Sequence, residues 1–334
     1  MKGIRRIFFL LPGFRPAGGV VKVLDYVTHA RDLGLEAVVC CHTPFDPSLP
    51  LFRIERFARL TPDEGVRYVR GFDVLIEPTD LAFFTWPRQY ERVVRCLAPG
   101  FPPERVIHLV QNTRHADPGW LEGFAARLLG LPMSRIMITD EVRNACLPLL
   151  NGDSLTRVII EGHDWGYFSK HRQGGLPRPI KVGYTTWKSQ IGAEVEEALA
   201  GDPRFSFRSI RQTVSWPELR ELYHWADVFL GTPNPQEGFY LVGLETFAAG
   251  ALFVTPDAEG NRAYCRWGKN CLRVDLDALP SYLEALERLA GMSEAEVEAL
   301  RTAGYAVLAN HTLEAEGRRF GEFLEELQAR RSVG

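Results

Sequence analysis

Between Pro235 and Pro256 the chain reads PQEGFYLVGLETFAAGALFVTP. Two acids, Glu237 and Glu245, stand in a run that is otherwise small and apolar. A carboxylate is costly to bury unless it is paired or used. The turn-rich NPQEGF leads into a helix expected to start near Phe239 to Leu241, with Gly250 at its end as a C-terminal cap. The free backbone N–H groups of such a helix start are suited to an anion. Glu237 lies just before that start, beside Gly238, which lets another group come close to the backbone. Glu245 falls about one turn inside a helix that is apolar almost all round and therefore buried. Hydroxyl or N–H partners would satisfy it. Ribose hydroxyls fit that need, and a structural carboxylate capping backbone amides is the alternative.

Strands and helices must position these groups, and the chain alternates them throughout. IRRIFFLLP, LEAVVCCH, FDVLIEP, RVIHLVQN, RIMITD and RVIIEGH are apolar runs of strand length. Between them VVKVLDYVTHARDLG, PRQYERVVRCL and EVRNACLPLLNG have helical spacing, the first with Gly34 as its stop. The stretch SKHRQGGLPRPIK is the best linker candidate, with Gly174, Gly175, Pro177 and Pro179 clustered in it. After it the alternation restarts with IKVGYTT, a helix from about Ile191, FSFRSI, PELRELYHWA, DVFLGTP, ALFVTP and LRVD, before a helical tail. Such alternation implies α/β architecture: two doubly wound domains of parallel sheet with helices on both faces. Ligands of such domains sit at the carboxyl ends of the strands.

Bulk composition narrows the function class. The chain has 334 residues, long enough for two domains, and a formal net charge of −3, which argues against a nucleic-acid binder. The six cysteines form no C-x-x-C pair and read as reduced, packed thiols of a cytoplasmic protein. The opening MKGIRRIFFLLPGF imitates a signal peptide, but its apolar run is short and reads as a first buried strand. No apolar stretch is long enough to span a bilayer. The histidines show no H-x-x-x-H or H-E-x-x-H spacing, and there is no D-x-D triplet, so no metal ligand set is assigned. No G-x-G-x-x-G follows the first strand, which argues against a simple NAD(P) oxidoreductase.

The segment from Glu237 through Glu245, followed by AAG, resembles the E-x7-E signature of family 4 retaining nucleotide-sugar glycosyltransferases. WADVFLGTP before it and VTPDAEGNRAYCRWGKNCLRVD after it are similar to that family's flanking segments, as are RIMITDEVRNACLPLL and RVIIEGHDWGYFSK upstream. PGFRPAGGVVKVLDYVTHARDLGLEAVVC resembles the family's opening glycine-rich loop and first helix. The resemblance spans nearly the whole chain. It implies the GT-B fold, two Rossmann-like domains facing a central cleft. The expected division is 1–168 for the acceptor domain, 169–316 for the donor domain, and 317–334 for a helix packing back toward the first domain.

The resemblance also implies roles. Glu237 would contact the donor sugar or stabilise its developing positive charge. The backbone of Gly238, Phe239, Tyr240 and Leu241 would meet the sugar and diphosphate, and Glu245 would accept from ribose hydroxyls. Gly18 and Gly19 would let the first helix approach the diphosphate. Lys188 would neutralise the leaving group, while Tyr184 stands where the family carries an Arg. Arg208 or Arg211 is the candidate to supply that missing charge. His115 would face the donor sugar, and Asn112, Arg114 and Trp86 would meet the acceptor, with Gln111 at the same strand end. His163 and Asp164 would order a turn between domains. Phe83, Phe84 and Trp86, interleaved with Arg53, Arg56, Arg59 and Arg88, could line the cleft or touch a lipid-linked acceptor or membrane face.

The implied function is transfer of a sugar from a nucleoside-diphosphate donor to an acceptor hydroxyl with retention, without a cofactor or metal. The implied partners are a nucleotide-sugar and an unidentified acceptor. The protein would be cytoplasmic, with a weak association with the membrane surface open to it. The alternatives are a non-catalytic GT-B-like sugar-nucleotide-binding subunit and another GT-B activity, such as a sugar-phosphate epimerase.

Overall fold

Continuous apolar runs become parallel strands covered on both faces. In the computed structural model of the chain, which describes residues 4–331, they build two all-parallel sheets. Residues 1–3, which open the signal-like stretch, and 332–334, at the end of the tail, lie outside the described residues. The chain forms two compact units, Met1–Ile160 with Glu314–Gly334, and Glu161–Leu313.

The first unit holds strands β1 (Arg6–Leu10), β2 (Glu36–Cys41), β3 (Arg67–Arg70), β4 (Leu81–Phe84), β5 (Val106–Val110), β6 (Ser134–Met137) and β7 (Thr156–Val158). Their order is β3-β2-β1-β4-β5-β6-β7, a Rossmann-type order that reverses between β1 and β4. Helices α1 (Gly18–Asp32), α2 (Tyr90–Cys96), α3 (Phe124–Leu129) and α4 (Asp140–Cys146) connect them. The second unit holds α5 (Ile191–Ala198), α6 (Trp216–Trp225), α7 (Val242–Ala248), α8 (Leu279–Gly291) and α9 (Glu294–Leu308). Its strands are β8 (Ile180–Thr185), β9 (Phe205–Ile210), β10 (Val228–Leu230), β11 (Leu252–Pro256) and β12 (Cys271–Val274), ordered β12-β11-β10-β8-β9. That is the flavodoxin-like order, reversing between β8 and β10.

The tail helix α10 (Leu313–Arg331) packs in the first unit. Phe320 meets the rings of Tyr26 and Phe83, and Glu316 accepts from Lys22 at 3.0 Å while His29 lies 3.0 Å from the same oxygen. Lys22 also pairs with Asp25, which pairs with Arg56. A buried charge is tolerable when it is matched in this way.

Three readings of the sequence need correction. FDVLIEP is not a strand: within it Ile76 makes an isolated bridge to Leu97, and Leu75 is exposed. The strand is LAFF, which β1 and β5 flank. Phe83 and Phe84 are therefore core rather than surface aromatics. SKHRQGGLPRPIK is not a free linker, because Arg172 donates to Asp227 at 2.6 Å and the Lys170 N–H to the Ala248 carbonyl at 2.9 Å, inside the second unit. The chain enters that unit earlier, at Glu161, because His163 and Phe168 pack against its interior. All six cysteines are buried free thiols.

Candidate functional site

In the second sheet the strand order reverses between β8 and β10, so the carboxyl ends of those two strands flank the switch point. Thr232, just after β10, donates its hydroxyl to the Thr185 carbonyl at 3.3 Å and joins the two ends. The loop after β8 carries Lys188, and the loop after β10 carries Glu237. The lysine ammonium and the glutamate carboxylate form an ion pair through Oε1. The Asn234 backbone N–H donates to the same oxygen at 3.1 Å. Oε2 has no partner among the described residues. The side chains keep 35% and 14% of their surface exposed, so a ligand can reach the pair. Lys188 Nζ also lies 5.1 Å from the centre of the Tyr240 ring, a cation–π contact.

The backbone beside this pair is held from below. Tyr240 is buried; its hydroxyl accepts from the Thr232 N–H at 3.1 Å, and its carbonyl accepts from the Tyr264 hydroxyl. A Cβ on Gly243 would fall 2.4 Å from the Tyr264 ring, and one on Gly260 would fall 2.6 Å from the Gly238 carbonyl carbon. Only glycine fits either contact, and the second seats residue 260 against the Glu237–Phe239 loop. Helix α7 starts at Val242, slightly later than its sequence suggests, with Leu241 as N-cap. Among the described residues the N–H groups of Phe239, Tyr240, Leu241 and Val242 find no acceptor.

Glu245 stands on α7 and is 6% exposed. Its Oε1 lies 3.0 Å from His163 Nε2, and its Oε2 accepts from the Tyr223 hydroxyl at 2.6 Å. The protein itself supplies two partners that the sequence leaves to a ligand. Burial and the adjacent carboxylate push the Tyr223 hydroxyl well above its usual range, so it stays protonated and donates. His163 stacks on Phe168 and also packs against Trp216.

Tyr184 is buried in β8 and donates its hydroxyl to Glu196 on α5. Arg211, exposed at the end of β9, lies 3.6 Å from that same carboxylate. A guanidinium and the Tyr184 hydroxyl therefore meet at one carboxylate. Arg208, within β9, is exposed. Trp187, which the sequence reading passed over, is 44% exposed beside Lys188, and its indole N–H donates to the Gln212 carbonyl at 3.0 Å. An aromatic next to a lysine in a strand-end loop is the signal that could have found it.

In the first unit the candidate residues also gather at strand ends. Gly18 and Gly19 open α1 after β1, where Ala17 is the N-cap and the first turn has no acid. Space is open around Gly18, whereas Gln111 lies against Gly19 and donates to its carbonyl at 3.2 Å. Trp86 follows β4, and Asn112, Arg114 and His115 follow β5. Trp120, not singled out from the sequence, brings most of these together. Its ring lies 5.6 Å from Trp86, 5.0 Å from His115 and 5.5 Å from the Arg114 guanidinium. Trp86 is 44% exposed and Arg114 is exposed. His115 is only 2% exposed, its Nδ1 lies 3.0 Å from the Asn112 carbonyl oxygen, and burial lowers its pKa to about 4. It is a buried, neutral imidazole packed against Trp120. Among the described residues no group of three or more His, Cys, Asp or Glu side chains is placed to hold a metal ion, and no helix is long and apolar enough to cross a membrane.

No protein-family profile matches the chain, and no curated protein matches it in sequence. Solved structures match it in fold. HepE from Anabaena, crystallised with UDP and glucose, has a TM-score of 0.68 at 14% identity, over 96% of this chain and 100% of that one. The sucrose-phosphate synthase of Thermosynechococcus elongatus has a TM-score of 0.67 at 15% identity, over 98% and 100%. The fold is GT-B. The pneumococcal O-GlcNAc transferase GtfA, crystallised with UDP and GlcNAc, matches at a TM-score of 0.58 and 9% identity, over 97% and 99%. In this GT-B chain each Rossmann-like unit presents its candidate residues at the carboxyl ends of its strands.

Proposed function

We propose that the protein is a retaining glycosyltransferase that moves a sugar from a nucleoside-diphosphate donor to an acceptor hydroxyl. The observation that carries this reading is the Lys188–Glu237 pair at the β8/β10 switch point, beside four backbone N–H groups without acceptors. The ammonium and the amides suit the diphosphate, whose charge grows as it leaves. The unpartnered Oε2 of Glu237 suits the positive charge that develops at the anomeric carbon. In the transfer the anomeric carbon–oxygen bond to the diphosphate breaks and a bond to the acceptor oxygen forms on the same face. The acceptor proton goes to the departing phosphate oxygen, so this chemistry needs no protein base. Lys188, the amides and Arg211 can carry the leaving-group charge without a metal.

Trp187 offers a flat face beside Lys188, of the kind on which a nucleobase stacks. Trp86 and Trp120, with Arg114 over the Trp120 ring, offer an aromatic surface for the acceptor, and His115 acts by positioning Trp120. HepE, a GT-B structure crystallised with UDP and with UDP-glucose, supports a nucleotide-sugar as the donor class.

Binding is tested by thermal shift against a panel of nucleoside diphosphates and their sugars. At least one member at a hundred times its Kd stabilises the binding state by about 2.7 kcal/mol. The same ligand quenches tryptophan emission in the natural protein and quenches it less in Trp187→Phe. A panel that leaves the melting temperature unmoved contradicts the reading.

A further inference from the structure

Glu237 and Lys188 form an ion pair, and a diphosphate needs the same ammonium. We infer that Glu237 is also the residue that clears the spent nucleoside diphosphate from Lys188. This inference rests on the donor class proposed above. Two anions compete for one cation, so bound diphosphate must displace the carboxylate. The Asn234 N–H, 3.1 Å from Oε1, holds the carboxylate in place while the lysine is engaged elsewhere.

The competition is uneven across the reaction. In the donor the terminal phosphate is esterified to the sugar. After transfer that phosphate is free and ionises a second time at about pH 6. The product therefore carries more negative charge beside the same carboxylate than the donor does. Glu237 repels it more strongly and recovers Lys188 as it departs. One carboxylate thus serves the sugar before bond cleavage and release afterwards.

The test is calorimetric binding of UDP, GDP, ADP and inorganic pyrophosphate to the natural protein and to Glu237→Gln, with Glu237→Ala as a second variant lacking the carboxylate. The inference predicts that both variants bind the preferred nucleoside diphosphate, and pyrophosphate, about fivefold more tightly, the upper end of the scale for one part-exposed ion pair. A purely structural role for Glu237 does not tighten binding. Unchanged or weaker binding in the variants overturns the inference. So does tightening for the nucleotide without tightening for pyrophosphate, because the exchange takes place at the phosphates. A natural protein that binds none of the nucleotides overturns the donor reading itself, and this inference with it.

Discussion

Replacing Glu237 by alanine lowers turnover of the preferred donor about 100- to 1000-fold, the cost of removing one preorganised group aimed at transition-state charge. The thermal midpoint hardly moves. The residue lies in a loop, its carboxylate is partly exposed, and its protein partners are Lys188 and one backbone N–H. Part-exposed pairs of this kind contribute about 0–1 kcal/mol to stability. Lost turnover with retained stability therefore separates chemistry from folding. The measurement is release of nucleoside diphosphate at saturating donor, beside a melting curve. Full turnover in the variant contradicts the assignment of the developing sugar charge to Glu237.

Glu245→Ala has the opposite signature. The carboxylate is buried, and it partners His163 Nε2 and the Tyr223 hydroxyl from either side. Alanine leaves a buried hydroxyl and a buried imidazole without their acceptor, at a cost of about 3 kcal/mol. For a unit of about 150 residues this lowers the melting temperature by roughly 6–12 °C. Glu245→Gln costs less, since an amide oxygen can still accept from Tyr223. His163 lies in the segment through which the chain enters the second unit, so the loss loosens that segment against α7. A variant with an unchanged melting temperature and only weaker nucleotide binding contradicts this and returns Glu245 to the ribose.

The contrast between the two glutamates marks where sequence reading stops. Their spacing, the glycine beside the first and the apolar helix around the second are all local, and the loop and the buried helix do form there. Their difference is tertiary. His163 is 82 positions from Glu245, and no local pattern says that its imidazole will reach the carboxylate. The same limit explains the domain crossing. SKHRQGGLPRPIK has a linker's composition, yet Arg172 finds Asp227 55 positions away. Strands such as IFFLL and AVVCC were legible because burial on both faces leaves an unbroken apolar run. FDVLIEP has a similar run and is not a strand, while LAFF is short and sits close behind it. Periodicity alone does not separate two such neighbours. Trp120 was missed because its importance lies in whom it touches: Trp86, Arg114 and His115 reach it from the ends of two different strands.

The central claim is glycosyl transfer from a nucleotide-sugar by the Lys188–Glu237 site. It is tested most directly by incubating the natural protein with a panel of nucleoside-diphosphate sugars and simple acceptors while following the anomeric proton by NMR. The account predicts that at least one donor is consumed, with nucleoside diphosphate released and the anomeric configuration of the donor kept in the product. An inverted product contradicts the retaining mechanism. A donor that binds tightly and is never turned over, by transfer or by hydrolysis, contradicts catalysis and leaves a sugar-nucleotide-binding protein on a GT-B fold.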